Sequence, residues 1–256
     1  MRSGNLLVFF SAIAFAAPSL VARPAVLDVP ASNVLAAVRE QYAAVSNVSC
    51  TVRREVPDGT GGKAESMSRI VWARGDRMNV QMLKPAARRT VIDGETIRIK
   101  GPRDEAPAIY HVTNQTPSQV ANLRSVPGSP EELLAPLSGL LATSSGAKPP
   151  FARTVTFMEK GPDGTPAFPL AAVSFDDLGR VARIDFPPPP DDAEDAATST
   201  ITFHGAFEAL PGVWLFRRVE TETNLGGRSL RTVSRFDKFS VNGELPASLF
   251  DPKAFF

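Results

Sequence analysis

The chain contains 256 residues, 43% of them hydrophobic, which is enough to build one sizeable core. Its 28 Lys and Arg residues almost balance its 27 Asp and Glu residues, so the net charge of +1 excludes nucleic acid as an expected partner. With 23 Pro, 18 Gly and one Cys, the composition favours a single β-rich domain with many turns, and it excludes an internal disulfide.

The amino terminus has the pattern of a signal peptide. A basic residue precedes an apolar run from Leu6 to Ala17, which is too short to span a membrane. We predict a signal peptide over residues 1–22, cleaved after Ala22, and a mature domain over residues 23–256. The segment Ala14-Phe15-Ala16 offers an earlier cleavage site, and a retained signal anchor is the alternative. No later stretch has the roughly 20 consecutive apolar residues of a transmembrane helix, so we expect a soluble exported protein.

The first predicted element of the mature chain is an amphipathic helix from Ser32 to Val45. Apolar residues recur there at helical spacing, at Val34, Leu35, Val38, Tyr42 and Val45. From Ser49 onward, short runs of β-branched residues alternate with Gly, Pro and Asp. This change of pattern predicts the start of a sheet.

Two segments of that sheet show clear strand alternation. From Met78 to Met82, apolar and amide side chains alternate, which places three apolar side chains on one face. The segments Thr90–Ile92 and Thr96–Lys100 flank Asp93-Gly94, and we predict a hairpin because Asp-Gly tolerates the positive φ angles of a primed turn. One apolar and one polar face are typical of an antiparallel sheet.

A second helical region is predicted in the middle of the chain. Ser129 as the cap, Pro130 in the first turn and a Glu at the third helical position mark its start. Apolar residues then recur at Leu133, Leu134, Leu137, Leu140 and Leu141. Because Pro136 interrupts this pattern, we expect two short helices lying over the sheet. A weaker helical pattern covers residues 117–126.

The rest of the chain predicts a meander of strands. These are Thr154–Met158, Leu170–Phe175, Val181–Phe186, Thr198–Phe207, Val213–Thr223 and Ser229–Ser240. The Pro-rich and acidic run at residues 187–195 predicts an exposed loop. This run lacks the ligand offsets and the glycine turn of a calcium loop, so we do not predict a metal site there.

The sequence contains no motif that indicates catalysis. The only His residues, His111 and His204, are isolated, and there is no nucleophile elbow, zinc motif or phosphate-binding loop. The single Cys50 lies in a β-branched run that favours a buried strand residue over a reactive thiol. We therefore predict that the protein is not an enzyme and that it holds neither a metal nor a cofactor.

The stretch from Arg69 to Ile99 carries a more specific pattern. Trp72 and Arg74 lie close together, followed by the alternating strand, a Pro and the hairpin around Asp93-Gly94. This order resembles the periplasmic lipoprotein carriers of the LolA family and their relatives LolB and RseB. Gly75 stands where the family has Pro, and the Trp–Arg spacing is one residue shorter than in the family.

The resemblance implies a mainly β, α+β fold in the periplasm. The expected architecture is a curved antiparallel half-barrel sheet with an N-terminal helix and mid-chain lid helices. Family members hold the acyl chains of lipoproteins under the lid, and an Arg at the position of Arg74 helps to keep the lid closed. We therefore expect Arg74 to be a lid latch. We expect an apolar ligand cavity lined by Ile70, Trp72, Met78, Val80, Met82, Ile97, Ile99, Leu134, Leu137 and Leu141.

The leading hypothesis is a monomeric carrier of lipid or of lipoprotein acyl chains, with a role in outer membrane biogenesis. The alternative is an envelope protein-interaction or stress-sensor module of the same fold. Such a module would bind membrane-associated envelope proteins through exposed strand edges or through the acidic loop. A cavity under a movable lid favours the carrier, and a filled core favours the alternative.

Overall fold

A computed structural model describes residues 25–251, except residues 59–60, 117–119, 121–122, 147–148 and 189–196. The predicted signal peptide and most of the predicted acidic loop lie outside the described residues, as does part of the weaker helical pattern at 117–126. In the described part of the chain, no helix is long and apolar enough to cross a membrane.

The described residues form one antiparallel sheet of thirteen strands. These are β1 Asn47–Pro57, β2 Lys63–Ala73, β3 Arg77–Lys84, β4 Arg88–Asp93, β5 Thr96–Lys100, β6 Ala108–His111, β7 Leu141–Ser145, β8 Arg153–Lys160, β9 Pro166–Phe175, β10 Val181–Phe186, β11 Thr198–Leu210, β12 Val213–Leu225 and β13 Arg228–Val241. Their order is β6-β5-β4-β3-β2-β1-β13-β12-β11-β10-β9-β8-β7. The predicted curved, open antiparallel sheet is confirmed, and its first and last strands pair with each other in the middle.

In the described part of the chain the helices are short, and Val120, Leu123 and Arg124, within the weaker predicted pattern at 117–126, are also helical. The helices with described bounds are α1 Ala25–Asp28, α2 Val34–Gln41 and α3 Glu131–Leu134, and 3₁₀ turns cover Ala31–Asn33, Val112–Asn114, Ala135–Leu137 and Ala247–Phe250. The predicted N-terminal helix is confirmed, with its regular part ending at Gln41.

The predicted extension of the mid-chain helix to Leu141 is wrong. Pro136 lies in a 3₁₀ turn, and Gly139 then adopts a positive φ of 90°, which ends the helical path. Leu141 is the first residue of β7 and pairs with Met158 of β8. The helical spacing of the last two leucines is therefore coincidental.

The predicted hairpin between β4 and β5 is confirmed. Ile92 pairs with Ile97, and only Gly94 in the turn has a positive φ, at 104°. Asp93 stabilises the turn as an acceptor, because its carboxylate receives the backbone N–H groups of Glu95 and Thr96.

The main core lies between α2 and one face of the curved sheet, which we call the inner face. Val34, Val38 and Tyr42 of the helix are buried there, and the Tyr42 hydroxyl donates to the carbonyl oxygen of Trp214 at 2.8 Å. These are the side chains that the helical spacing selects. Cys50 is also buried, and burial raises the pKa of its thiol to about 12, so the prediction of an unreactive strand residue is supported.

The opposite, outer face of β2 and β3 is covered by the last described residues. Phe250 packs against Val71 and Ala73, and the Asn79 side-chain amide donates to the carbonyl oxygen of Leu249 at 2.6 Å. The carboxy-terminal turn therefore closes a second, smaller apolar cluster on this side.

Candidate functional site

The described residues of the segment 112–140, namely 112–116, 120 and 123–140, lie over the inner face, and we call them the strap. It begins beside β5, where the Val112 amide donates to the Glu95 carbonyl at 2.9 Å, and it ends with α3 and the 3₁₀ turn after it. Its buried side chains Val126, Leu134 and Leu137 join the main core. The strap is therefore the element that stands where the resemblance predicts a lid.

Polar contacts attach the strap to the strands beneath it. The Trp72 indole donates to the Leu123 carbonyl at 2.7 Å. The guanidinium of Arg124 forms a bidentate ion pair with the Asp76 carboxylate, in which Nε and Nη2 each lie 3.0 Å from one carboxylate oxygen. Because Arg124 is exposed, this ion pair contributes little to stability by itself. The buried Trp72 hydrogen bond fixes the position of the strap more strongly.

The strap also fills a place where two strands separate. Pairing between β12 and β13 begins only at Arg218 and Arg235, so the preceding residues of β12 lack a β13 partner. There the Phe216 amide donates to the carbonyl of Gly128 at 2.9 Å. Gly128 has a φ of +80°, and a Cβ on it would lie 2.9 Å from the ring of Phe239. Glycine is required here by both conformation and space.

A cavity of about 470 Å³ lies between the strap and strands β12, β13, β1, β2 and β3. Its apolar lining includes Val52, Ile70, Met78, Leu133, Val219 and Phe236. Its polar lining includes Arg54, Glu132, Thr221, Thr232 and Ser234. A mostly apolar pocket of this volume with a few polar groups is typical of a small-ligand site.

The strand register brings the sheet residues of the predicted cavity to the inner face. Trp72 pairs with Met78, and Ile70 pairs with Val80, so these four side chains point the same way. The same alternation places Met82, Ile97 and Ile99 on this face. The predicted face is therefore continuous, although the cavity occupies only part of it.

The predicted site residues divide into three groups in the structure. Ile70 and Met78 line the cavity. Trp72, Leu134 and Leu137 are packed into the core with at most 4% of their surface exposed. The remaining residues, Val80, Met82, Ile97, Ile99 and Leu141, are half-buried and do not line the cavity. A ligand that reached the second group would have to displace core contacts.

Arg74 contacts the end of the N-terminal helix. It lies in the turn after β2, and its guanidinium donates to the carbonyl oxygens of Val45 at 2.6 Å and Tyr42 at 2.5 Å. These carbonyls follow the last residue of α2, where a cation also interacts favourably with the helix dipole. A latch role toward the strap stays a hypothesis, since the hydrogen bonds of this side chain go to the α2 end.

The charged lining residues Arg54 and Glu132 were not predicted from the sequence. A signal for Arg54 exists, because Val48, Cys50 and Val52 alternate on the inner face and Arg54 continues that alternation. No comparable signal exists for Glu132, since its position over the cavity depends on the path of the strap. Burial raises the pKa of the Glu132 carboxyl, and the positive charge of Arg54 partly opposes this change.

The described residues contain no group of three or more His, Cys, Asp and Glu side chains that could hold a metal ion. The two histidines lie on β6 and β11, which are far apart in the sheet order. The mostly apolar lining of the cavity, with a few polar side chains, suits an apolar or amphiphilic molecule.

Solved structures resemble this chain to different degrees. A LolA superfamily protein from Nitrosomonas europaea aligns with 88% of this chain and 99% of its own, at 13% identity and a TM-score of 0.55. A domain assigned to the outer membrane lipoprotein-sorting proteins, from Vibrio parahaemolyticus, aligns with 87% of this chain and 97% of its own, at 10% identity and a TM-score of 0.46. A DUF1329 family protein from Desulfovibrio piger covers 91% and 98%, at 12% identity and a TM-score of 0.44. No protein-family profile and no curated protein matches the sequence. The chain has a LolA-like fold.

Proposed function

We propose that this LolA-like chain is an exported periplasmic protein that carries a lipid, or the acyl chain of a lipoprotein, in the cavity under the strap. The observation that supports this function is the mostly apolar cavity of about 470 Å³ between the strap and the inner face. Its volume lies within the range of ligand pockets, and its lining matches a hydrocarbon chain. No cofactor is needed for this role.

The energetics favour a reversible carrier. Each methylene group transferred from water into an apolar site contributes about 0.8 kcal/mol, so a long chain binds tightly even after the costs of association. Release requires that the cavity change shape. Met78 lines the cavity, and its unbranched thioether side chain can repack without strain when the cavity changes shape.

Native mass spectrometry with lipid extraction tests this proposal on protein purified from its own envelope. Val52 lines the cavity and is only half-buried, so Val52→Trp fills the space without opening the core. Gln81→Trp, on the exposed outer face of β3, is the matched control. We expect the amount of lipid that co-purifies with Val52→Trp to be at least about ten-fold lower than with the unmodified protein, because a filled cavity has no room for the chain.

The control variant should keep the lipid content of the unmodified protein. A protein that is empty in every preparation and takes up no added lipid would contradict the proposed function. An unchanged lipid content in Val52→Trp, with native circular dichroism, would place the lipid elsewhere and contradict this cavity as the site.

A protein-interaction role is the second candidate, and the edge strand β6 favours it. Ile109 and Tyr110 on this strand are 56% and 50% exposed. One edge of β6 also has no partner strand among the described residues. Such an edge can accept a strand from an envelope protein. A photo-crosslinking residue at position 109 should then capture a partner in the envelope, while the same residue at the exposed position 83 should not.

A further inference from the structure

We infer that the cavity binds a single-chain amphiphile with an anionic head group, which Arg54 holds at the open end. The inference rests on the proposed function, since it assumes that an apolar chain occupies the cavity. It adds the chemistry of the ligand's other end. A fatty acid carboxylate is the simplest ligand of this class.

The apolar and polar side chains that strands β1, β12 and β13 contribute to the cavity lie at different ends. Along β1, Val52 precedes Arg54, and along β13, Phe236 follows Ser234, so the apolar side chains of these strands lie nearer the strap. On β12, Val219 and Thr221 show the same order. The polar side chains of the strands lie nearer the β12–β13 turn. A chain that enters from this end places its tail under the strap and its head beside Arg54.

Arg54 is oriented for a ligand and has free donors. Its Nε donates to the hydroxyl oxygen of Ser234 at 3.2 Å, which fixes the plane of the guanidinium. Among the described residues, no hydrogen-bond acceptor is found for its two Nη groups. A carboxylate can accept both at once, and this paired geometry is the strongest that arginine offers. Thr221 and Thr232 are register partners on β12 and β13, and both line the cavity with Arg54. Their hydroxyl groups can add further hydrogen bonds to the head group.

Glu132 is the other charged residue that lines the cavity. It approaches Arg54 from the strap, but the two side chains form no ion pair within 4.0 Å in the described part of the chain. An anionic head group must compete with Glu132 for the charge of Arg54. Replacing Glu132 with Gln should therefore strengthen the binding of an anionic ligand and leave a neutral ligand unaffected.

Isothermal titration calorimetry with laurate and lauryl alcohol tests the inference, at a pH well above that of fatty acid protonation. The variants are Arg54→Gln and a matched control, Arg53→Gln, whose side chain lies on the outer face and pairs with Glu65 at 3.2 Å. We expect laurate to bind at least about ten-fold more tightly than the alcohol, in line with a charge-assisted hydrogen bond. Arg54→Gln should remove this preference, and Arg53→Gln should preserve it.

The outcomes separate this inference from the proposed function. Equal binding of acid and alcohol to the unmodified protein would overturn the head-group site while carriage of the chain stands. Binding of neither ligand would overturn the proposed function as well. If Arg54→Gln fails to fold, Glu132→Gln decides the question. A gain of about three-fold or more for laurate alone supports the inference, and an unchanged or weaker affinity for laurate overturns it.

Discussion

Arg74 connects two elements that are far apart in the chain. It follows β2, and its two hydrogen bonds reach the carbonyl oxygens of Tyr42 and Val45, just after α2. Its guanidinium also lies 6.0 Å from the centre of the Trp72 ring, which adds a weak cation–π attraction. At the scale of one residue, this side chain stabilises the position of α2 on the inner face.

We expect Arg74→Met to lower the free energy of unfolding by about 1.5–3 kcal/mol, because hydrogen bonds from a charged donor are lost and two carbonyls are left without it. Urea denaturation measures the change. Arg69→Met, at an exposed outer-face position of β2, should change stability by less than about 0.5 kcal/mol. If Arg74→Met is as stable as this control and only lipid release changes, the result would support the latch hypothesis. It would contradict a stabilising role of Arg74 at the end of α2.

Glu131 makes the stability of the folded protein depend on pH. Its carboxylate accepts the Val126 amide at 3.0 Å, yet burial raises the pKa of this carboxyl, and the charges of Arg74 and Arg39 only partly oppose the effect. A carboxyl with a raised pKa in the folded state stabilises that state when protonated. The contribution is present below the unfolded pKa of about 4.3 and is lost as pH rises through the folded pKa.

We expect Glu131→Gln to be more stable than the unmodified protein at neutral pH, with the difference disappearing near pH 4, because glutamine resembles the protonated acid. Thermal unfolding as a function of pH measures it. Glu40→Gln, at an exposed position of α2, is the control, and its stability should depend on pH in the same way as that of the unmodified protein. A difference that grows as pH falls would contradict the sign of the effect.

At the scale of elements, the strap determines whether a cavity exists. The hydrogen bond that the Phe216 amide of β12 donates to the Gly128 carbonyl holds the strap where β12 and β13 separate, and the ring of Phe239 leaves no room there for a Cβ on residue 128. Gly139 in the same segment also has a positive φ, but a Cβ there would meet nothing within 4 Å. The two glycines therefore share the conformational requirement and differ in the available space.

We expect Gly139→Ala to cost about 1 kcal/mol, from the positive φ alone. Gly128→Ala should cost roughly 2–4 kcal/mol, because steric overlap with Phe239 adds to the same conformational cost. Chemical denaturation gives both values, and amide hydrogen exchange should show faster opening of the strap only in Gly128→Ala. Equal effects of the two substitutions would mean that the tight contact does not position the strap.

Most elements could be predicted from the sequence because their signals are local. The alternation at Val181–Phe186 gave a strand with the observed bounds, and the spacing of Val34, Val38 and Tyr42 identified the buried side of α2. Strand β6 has four exposed residues and therefore no alternation to detect, and β7 begins inside a leucine pattern that fits a helix. Short edge strands depend on their neighbours more than on their own sequence.

The candidate site was harder to predict, because it depends on the path of the strap. Register follows from alternation, and the observed register places Ile70 and Met78 on one face with Trp72. Which of them the strap covers is a matter of tertiary packing. Trp72 is completely covered and Ile70 is left beside a cavity, although both belong to the same apolar pattern. The charges of Arg54 and Glu132 come together for the same non-local reason.

At the scale of the whole molecule, the sheet joins two halves of the chain. Strands β1 to β6 form one half and β7 to β13 the other, and the pairing of β1 with β13 connects them. The main core contains buried residues from both halves, including Trp72 on β2 and Phe157 on β8. A shared core and a continuous sheet should make the two halves unfold together.

The two tryptophans test this cooperativity, because Trp72 lies on β2 and Trp214 lies on β12. In Trp214→Phe, fluorescence reports on the first half, and in Trp72→Phe, it reports on the second. We expect the fluorescence midpoint in urea to coincide with the circular dichroism midpoint within each variant, whatever the loss of stability, since one domain unfolds in one step. Comparison within a variant removes the effect of the lost Trp72 hydrogen bond. Two separated midpoints in either variant would contradict a single domain and would make the β1–β13 pairing a contact between two independently folding units.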